Sequence, residues 1–497
     1  MTKKPFKKVV YYFTDRGMLY QKSGNYDLAI ECYKKVSEIE PEYEWAYYYA
    51  GQCLYKLERF EEALENFQKA IELDSSISEF YKWIANIYKK SDEYEKALFN
   101  YKKVLQINPK DHWAYYEIGD MCQTIEKYDQ ALMNFKRAIM LKPAFPECYN
   151  KIGTVEYFRS NFEAAIKNFE KAAGLNSQNP DFYYKLGISH FQLGQLEKAE
   201  KNFKNVIVFD KQNISAFAYL GNIFIQRNDP KEAIKYFKHA LKLYPESSAI
   251  NSSIGKAYLQ KGATDAGIEY LDRALSLNEN NETLYLNLIN ICSSAQKYEP
   301  AISYSQKYLE NYPDNQHKLS IYKNLGLIYF ETAEHNLSID NFNKALEFQP
   351  EDHGILLTLG FIYLEKEDFD KGFERFSKLS EDDPNVNLGL ASYYTEKEDF
   401  AKSINYLKKA KKLNCEKSAF NYYLGYYFLK RNKFIAAAKF FAGSIIINPG
   451  GHFAYYHLGK AYSVLNRKNE AKENFEKALS LNKYRAKYKT ALEDVII

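Results

Sequence analysis

The sequence predicts an all-α solenoid built from antiparallel helix pairs. Three observations predict it: a small residue recurring every 34 positions, two apolar stripes of helical period within each repeat, and a scarcity of turn formers. Gly17, Gly51, Gly119, Gly153, Gly187, Gly221 and Gly255 fall on one grid, with Ala85 in the single vacant place. A fixed period of this length is the mark of a repeat architecture. Only 22 Gly and 13 Pro are spread over 497 residues, too few for many short strands, and no Gly/Pro/Ser-rich stretch marks a linker.

Each repeat carries its own internal logic. Twelve positions after the first small residue comes a second (Ala29, Ala63, Ala97, Ala131, Ala165, Ala199, Ala233, Gly267), and four further on a large apolar one (Tyr33, Phe67, Tyr101, Phe135, Phe169, Phe203, Phe237, Leu271). Stripes such as Tyr47, Ala50, Gly51, Leu54 and then Ala63, Leu64, Phe67, Ala70, Ile71 have helical spacing. Two antiparallel helices follow, with the small residues allowing close approach and the ring filling the space beside the contact. Pro41, Pro109, Pro143 and Pro245 close four units, since proline cannot continue the helix it follows. Asp229-Pro230 reads as an N-cap followed by a first-turn proline.

Counting from seven residues before each glycine, units start at Val10, Glu44, Ser78, His112, Pro146, Pro180, Ile214, Ser248 and Glu282. A three-residue insertion near Gln316–Lys318 moves the grid to Leu319 and His353, and a three-residue deletion near Asp383 returns it to Pro384, Ser418 and His452. The expected layout is a basic head over 1–9, fourteen units over 10–485 and a capping helix over 486–497. In the unit at Glu282, Ile289 replaces the close-approach glycine, Ser305 the ring and Tyr308 the last small residue. Two outcomes are open there: altered curvature across 282–353, or a repacked but regular repeat.

Composition narrows the function. The chain has 68 Lys+Arg against 64 Asp+Glu, with Lys and Glu interspersed, so no concentrated basic face for nucleic acid is expected. No run of eighteen apolar residues exists and the Lys-rich start lacks a signal-peptide core, so neither membrane insertion nor secretion is expected. Cys32, Cys53, Cys122, Cys148, Cys292 and Cys415 form no C-x-x-C pair and suit a reducing compartment, hence a cytoplasmic location. A phosphate loop, a G-x-S-x-G elbow and H-E-x-x-H are absent from the sequence, and its eight His are scattered. The reading is non-enzymatic, with no cofactor and no metal.

With the repeat laid out, the chain resembles the tetratricopeptide repeat family along nearly its whole length. The family's unit is matched by Tyr183, Leu186, Gly187, Ala199 and Phe203, and by Tyr455, Leu458, Gly459, Tyr462, Ala471, Phe475 and Ala478. The resemblance implies a right-handed superhelix whose first helices line a concave groove and whose second helices face outward. Some members append a catalytic domain, as the nucleocytoplasmic sugar transferases do; the head and tail here are too short for one.

By the same resemblance, positions 2, 5, 6, 9, 12 and 13 of each unit face the groove. They hold Trp45, Trp83 and Trp113; Tyr48, Tyr116, Tyr184, Tyr422 and Tyr456; Tyr55, Tyr157, Phe191 and Phe330; and Phe453. Exposed rings are the usual anchors for a partner segment, although a general bias of this chain towards Tyr explains tyrosine better than tryptophan. Position 13 holds Lys22, Lys56 and Lys90 early but Glu331, Glu365 and Glu396 late. Lysine near a helix C-terminus suits the macrodipole and glutamate does not, so the Glu ladder asks for a partner. Tyr47, Tyr81, Tyr115, Tyr149 and Tyr183 fall at an inter-helix position and are expected in the core. The carboxylate clamp of chaperone-binding relatives is matched by Lys82 and Asn86, but Glu117 and Glu147 stand where it needs neutral or basic groups, so that role is not expected.

The function expected is a protein-interaction scaffold or adaptor that holds a peptide segment or partner subunit along an aromatic concave groove. The competing reading is a structural subunit of a large assembly, for example a motility or ciliary complex, contacting through the convex face or the ends.

Overall fold

The structure is a computed structural model that describes residues 4–314 and 316–496. Residues 1–3 of the basic head and Ile497 of the expected capping helix lie outside the described residues. Among the described residues there are twenty-nine helices and no strands, and the chain is an all-α solenoid of helix pairs. The first helix, Lys4–Lys22, begins within the expected head, so that most of the head extends it.

Most pairs join a first helix of 13 residues to a second of 14, as in Glu44–Lys56 with Phe60–Leu73. The glycine at the centre of most first helices does more than allow approach. At Gly221 an added β-carbon would stand 2.5 Å from Phe237 Cε1, and at Gly51 2.8 Å from Phe67 Cε1, well inside van der Waals contact. The ring of the second helix therefore lies directly on the bare backbone of the first, fully out of water. Asp229 caps the helix Pro230–Leu243, accepting from the Glu232 amide at 3.2 Å, as its sequence context suggested.

A second periodicity is invisible as a residue type. The residue seven places after each close-approach position turns the chain between the two helices with positive φ in all fourteen units. Gly24, Gly194 and Gly262 do so, but so do Glu58, Asp92, Ser160, Gln296 and Ala333. Left-handed backbone disfavours side chains, yet only three units spend a glycine there.

The unit at Glu282 keeps a regular pair, Glu282–Ser294 with Tyr298–Asn311. Its sizes are exchanged rather than lost: Ile289, Ser305 and Tyr308 are all fully buried, and the Tyr308 hydroxyl donates to Glu282 at 2.9 Å. The exchange leaves Ser305 Oγ buried without a hydrogen-bond partner. The deletion near Asp383 shortens the second helix before it to nine residues, Phe369–Ser377. Phe376 now touches two glycines, Gly360 of its own unit and Gly389 of the next.

The helices divide into two compact units, residues 1–261 and 262–497. Within each, successive first helices touch one another as well as their own partners, for example Glu44–Lys56 with Ser78–Lys90 and Lys417–Lys430 with His452–Val464. The expected core tyrosines Tyr47, Tyr81, Tyr115, Tyr149 and Tyr183 are only half-buried. Their rings pack while their tips stay near the surface, with the Tyr183 hydroxyl donating to the Ser177 carbonyl at 3.1 Å.

Candidate functional site: the first-helix faces

Within residues 1–261 the aromatic residues form a string of separate ring clusters. Trp45 meets Tyr48 and Phe80 edge-on, with centroids 5.3 and 5.5 Å apart. Trp83 lies parallel to Phe67 at 6.0 Å, edge-on to Tyr55 at 5.1 Å, and its indole N–H donates to the Tyr48 hydroxyl at 3.2 Å. Tyr48 is thereby buried, and Trp45 and Trp83 are half-buried wedges between successive first helices. Trp113 differs: it leans on Tyr116 at 5.1 Å and Phe145 at 5.6 Å yet is 41% exposed. Burial raises the Tyr116 hydroxyl above the ordinary tyrosine value, with the carboxylates of Asp120 and Glu117 adding to it. Tyr157 packs on Phe162, Tyr184 on Phe203, and Phe191 on Tyr219. Tyr219, stacked on Phe203 at 4.8 Å, belongs to the string. It occupies the same position of its unit as Trp83, the signal by which the sequence could have found it.

Charges along this face neutralise one another. Lys82 bridges Glu79 and Asp111 at 3.1 and 3.0 Å; Lys89 bridges Glu117 and Asp120 at 2.6 and 2.7 Å; Lys151 meets Asp120 at 2.5 Å. Burial alone would raise the Asp120 carboxyl, but Lys151 and Lys89 hold it below the ordinary range. Lys82 and Asn86, the two matches to a carboxylate clamp, are both engaged, Asn86 accepting from the Tyr101 hydroxyl at 2.5 Å. Lys90 pairs with Glu58 at 2.7 Å over the rings of Tyr55 and Phe60, whereas Lys56 is exposed.

In the second unit the expected groove residues meet the chain's own C-terminal turn. Asn482 donates to both the carbonyl and the carboxylate of Glu331 at 3.1 Å, and His452 Nε2 lies 3.7 Å from the same carboxylate. Glu365 accepts from Arg485 and from Lys487, the latter at 2.5 Å. Arg485 is 1% exposed; it also donates to the Phe330 carbonyl at 3.0 Å and lies between the rings of Phe330 and Phe453, 5.0 and 4.5 Å from their centroids. Tyr484 rests against Tyr298 and donates to Glu299 at 3.2 Å. Lys487 lies over Phe453 and Tyr456, while Tyr488 is fully buried against Tyr456 and His452. Burial would raise the Glu365 carboxyl, but a hydrogen bond from His335 and the charges of Arg485 and Lys487 carry it well below the usual range.

Glu396 accepts from the Tyr426 hydroxyl and pairs with Lys430 at 2.8 Å, so the whole Glu ladder is engaged within the chain. Tyr422 lies among Tyr423, Tyr426, Phe441 and His457. The legible signal for this arrangement is the run Lys483, Arg485, Lys487 and Lys489, free of acids and opposite in sign to the ladder.

Burial pushes the Cys53 and Cys148 thiols up to about 12, which keeps them unreactive. Among the described residues no group of three or more His, Cys, Asp or Glu is placed to hold a metal ion, and no helix is long and apolar enough to cross a membrane.

Helix hairpins repeated at a fixed period, most of them seating a ring on a glycine, define a helical-repeat interaction protein. The chain belongs to the tetratricopeptide repeat family. Tetratricopeptide repeats match residues 10–76, 78–111, 114–145, 153–194, 180–213, 220–282, 319–352, 384–414 and 454–484. Proteins of this fold are in general non-catalytic scaffolds for protein or peptide partners. Among solved structures, the chain is similar to YrrB, described as a TPR protein with an unusual peptide-binding site, at 21% identity over 38% of this chain and 96% of that one, with a TM-score of 0.35. It is similar to the C-terminal part of a TPR repeat-containing protein from Cytophaga hutchinsonii at 16% identity over 48% and 99%, TM-score 0.44. A structure of Naa15/Naa10 bound to HypK-THB matches at 13% identity over 98% of this chain and 78% of that one, TM-score 0.35. No curated protein matches the chain.

Proposed function

We propose that the chain is a non-catalytic scaffold or adaptor in a reducing, cytoplasmic setting, and that it holds a peptide segment or partner subunit along the first-helix face of residues 44–213. The observation that carries this reading is Trp113, a large ring left 41% exposed while Tyr116 and Phe145 fix its orientation. A preorganised ring offers contact area with little further entropy to lose. The rings beside it would extend the contact, and the internally paired charges favour an apolar segment over an acidic tail. Affinity recovery of partners with the intact chain tests it: Trp113→Ala should reduce recovery at least tenfold without changing the melting temperature. Undiminished recovery by a Trp83→Ala, Trp113→Ala chain would end the reading.

A second reading draws on the helix Phe434–Ile447, which has one cation and no acid and exposes Ile435 by 77% and Ile446 by 80%. Such a second-helix face suits a structural subunit packed against neighbours in a large assembly. Under that reading Ile435→Lys with Ile446→Lys should abolish co-assembly while the Trp113 variant leaves it intact.

A further inference from the structure

Within residues 262–497 the C-terminal turn sits against first-helix residues and the start of the second helix Tyr298–Asn311 as a ligand sits in a site. Its residues Asn482, Tyr484, Arg485 and Lys487 reach Glu331, Glu299 and Glu365 across 120 to 185 residues of chain. Local repeat packing links only neighbouring pairs and requires no such contact. The two partners are complementary in charge: four cations and no acid lie in residues 482–489, against three glutamates. Recognition centres on a guanidinium, which Phe330 and Phe453 sandwich while Glu365 and the Phe330 carbonyl take its N–H groups. A flat, delocalised cation suits two rings and a carboxylate in a way that an ammonium does not.

The occupant is also able to leave. Lys483, Ala486, Lys489 and Thr490 are exposed, and Arg485 Nε is buried with no acceptor.

We propose that Glu365, Phe330 and Phe453, flanked by Glu331 and Glu299, form a peptide site for a basic, arginine-bearing segment, and that the chain's own residues 482–488 fill it in cis and thereby gate it against a partner's segment of the same chemistry. The site is separate from the aromatic string of residues 45–219. Failure of the Trp113 test would leave it standing.

Fluorescence anisotropy of a labelled peptide with the sequence of residues 481–490 tests the proposal on the full chain. An Arg485→Ala, Lys487→Ala chain should bind the peptide at least tenfold more tightly than the wild-type chain. Adding Glu365→Gln should reverse the gain, and a peptide carrying Arg485→Lys should bind several-fold more weakly. A double variant that melts like the wild type and binds no better would overturn the proposal. Should that variant fail to fold, hydrogen exchange of the wild-type chain decides. Amides of 486–496 should exchange faster than those of Lys468–Leu481, and faster still with excess peptide. Equal protection, unmoved by peptide, would make the contact a fixed structural closure and reject the gate.

Discussion

The Arg485 guanidinium lies 4.5 Å from the centre of the Phe453 ring and pairs with the Glu365 carboxylate, a contact joining residues 120 positions apart. Both partners are largely withdrawn from water, so each depends on the other to offset its desolvation. The late glutamates of the position-13 ladder thus find their counter-charge within the chain.

Removing one charge of that pair should expose the cost. Glu365→Gln leaves Arg485 buried without its anion and should destabilise the second unit by about 3 kcal/mol. Chemical denaturation followed by a probe in residues 262–497 measures it. Arg485→Met combined with Glu365→Gln should recover much of the loss.

Acid should act in two stages. Burial lowers the His457 imidazole to about 3, with Lys460 and Lys487 contributing and the bond from its ring N–H to the Phe453 carbonyl opposing. An unfolded histidine protonates near 6.5. Between these values the unfolded state binds the extra proton, so stability falls as pH drops below about 6.5. The depressed Glu365 adds a second loss below its unfolded value of 4.5. In thermal melts carried from pH 7 to about 3, His457→Gln should flatten the profile between 6.5 and 4.5 and leave a loss below 4.5.

Seating a ring on a bare backbone makes Gly221 intolerant of a methyl group. Gly221→Ala should cost about 1–3 kcal/mol through overpacking against Phe237. Phe237→Leu, destabilising alone, should cost less in the Gly221→Ala background, a coupling that a double-mutant cycle reads directly.

Ala333 adopts φ 63° at the turn inside its pair. Ala333→Gly removes the β-carbon strain at the expense of a freer unfolded chain and should stabilise by about 0.5–1 kcal/mol. An unchanged or lowered denaturation midpoint would contradict this account of the turn.

Much of this was legible because a repeat states each local requirement many times over. The pairing of Gly51 with Phe67, or of Gly187 with Phe203, follows from spacing, since a helix sets which residues share a face. The positive φ of Glu58 or Ser160 was not legible, because surrounding packing enforces it on ordinary residues. Among the expected groove residues, Trp113 stands exposed. Trp45, Tyr48 and Trp83 instead pack on neighbouring rings, among them Phe80, Phe67 and Tyr55, since rings on adjacent helices lie within reach.

By itself the amino-acid order determined the helix hairpin, its number of copies and the position in each copy that faces the next, because these depend on contacts within a few turns of helix. Only the tertiary structure decided that Glu331 and Glu365 receive Asn482, Arg485 and Lys487. That meeting depends on how several stacked pairs bring distant segments together, and small rotations added pair by pair leave no mark on any one of them.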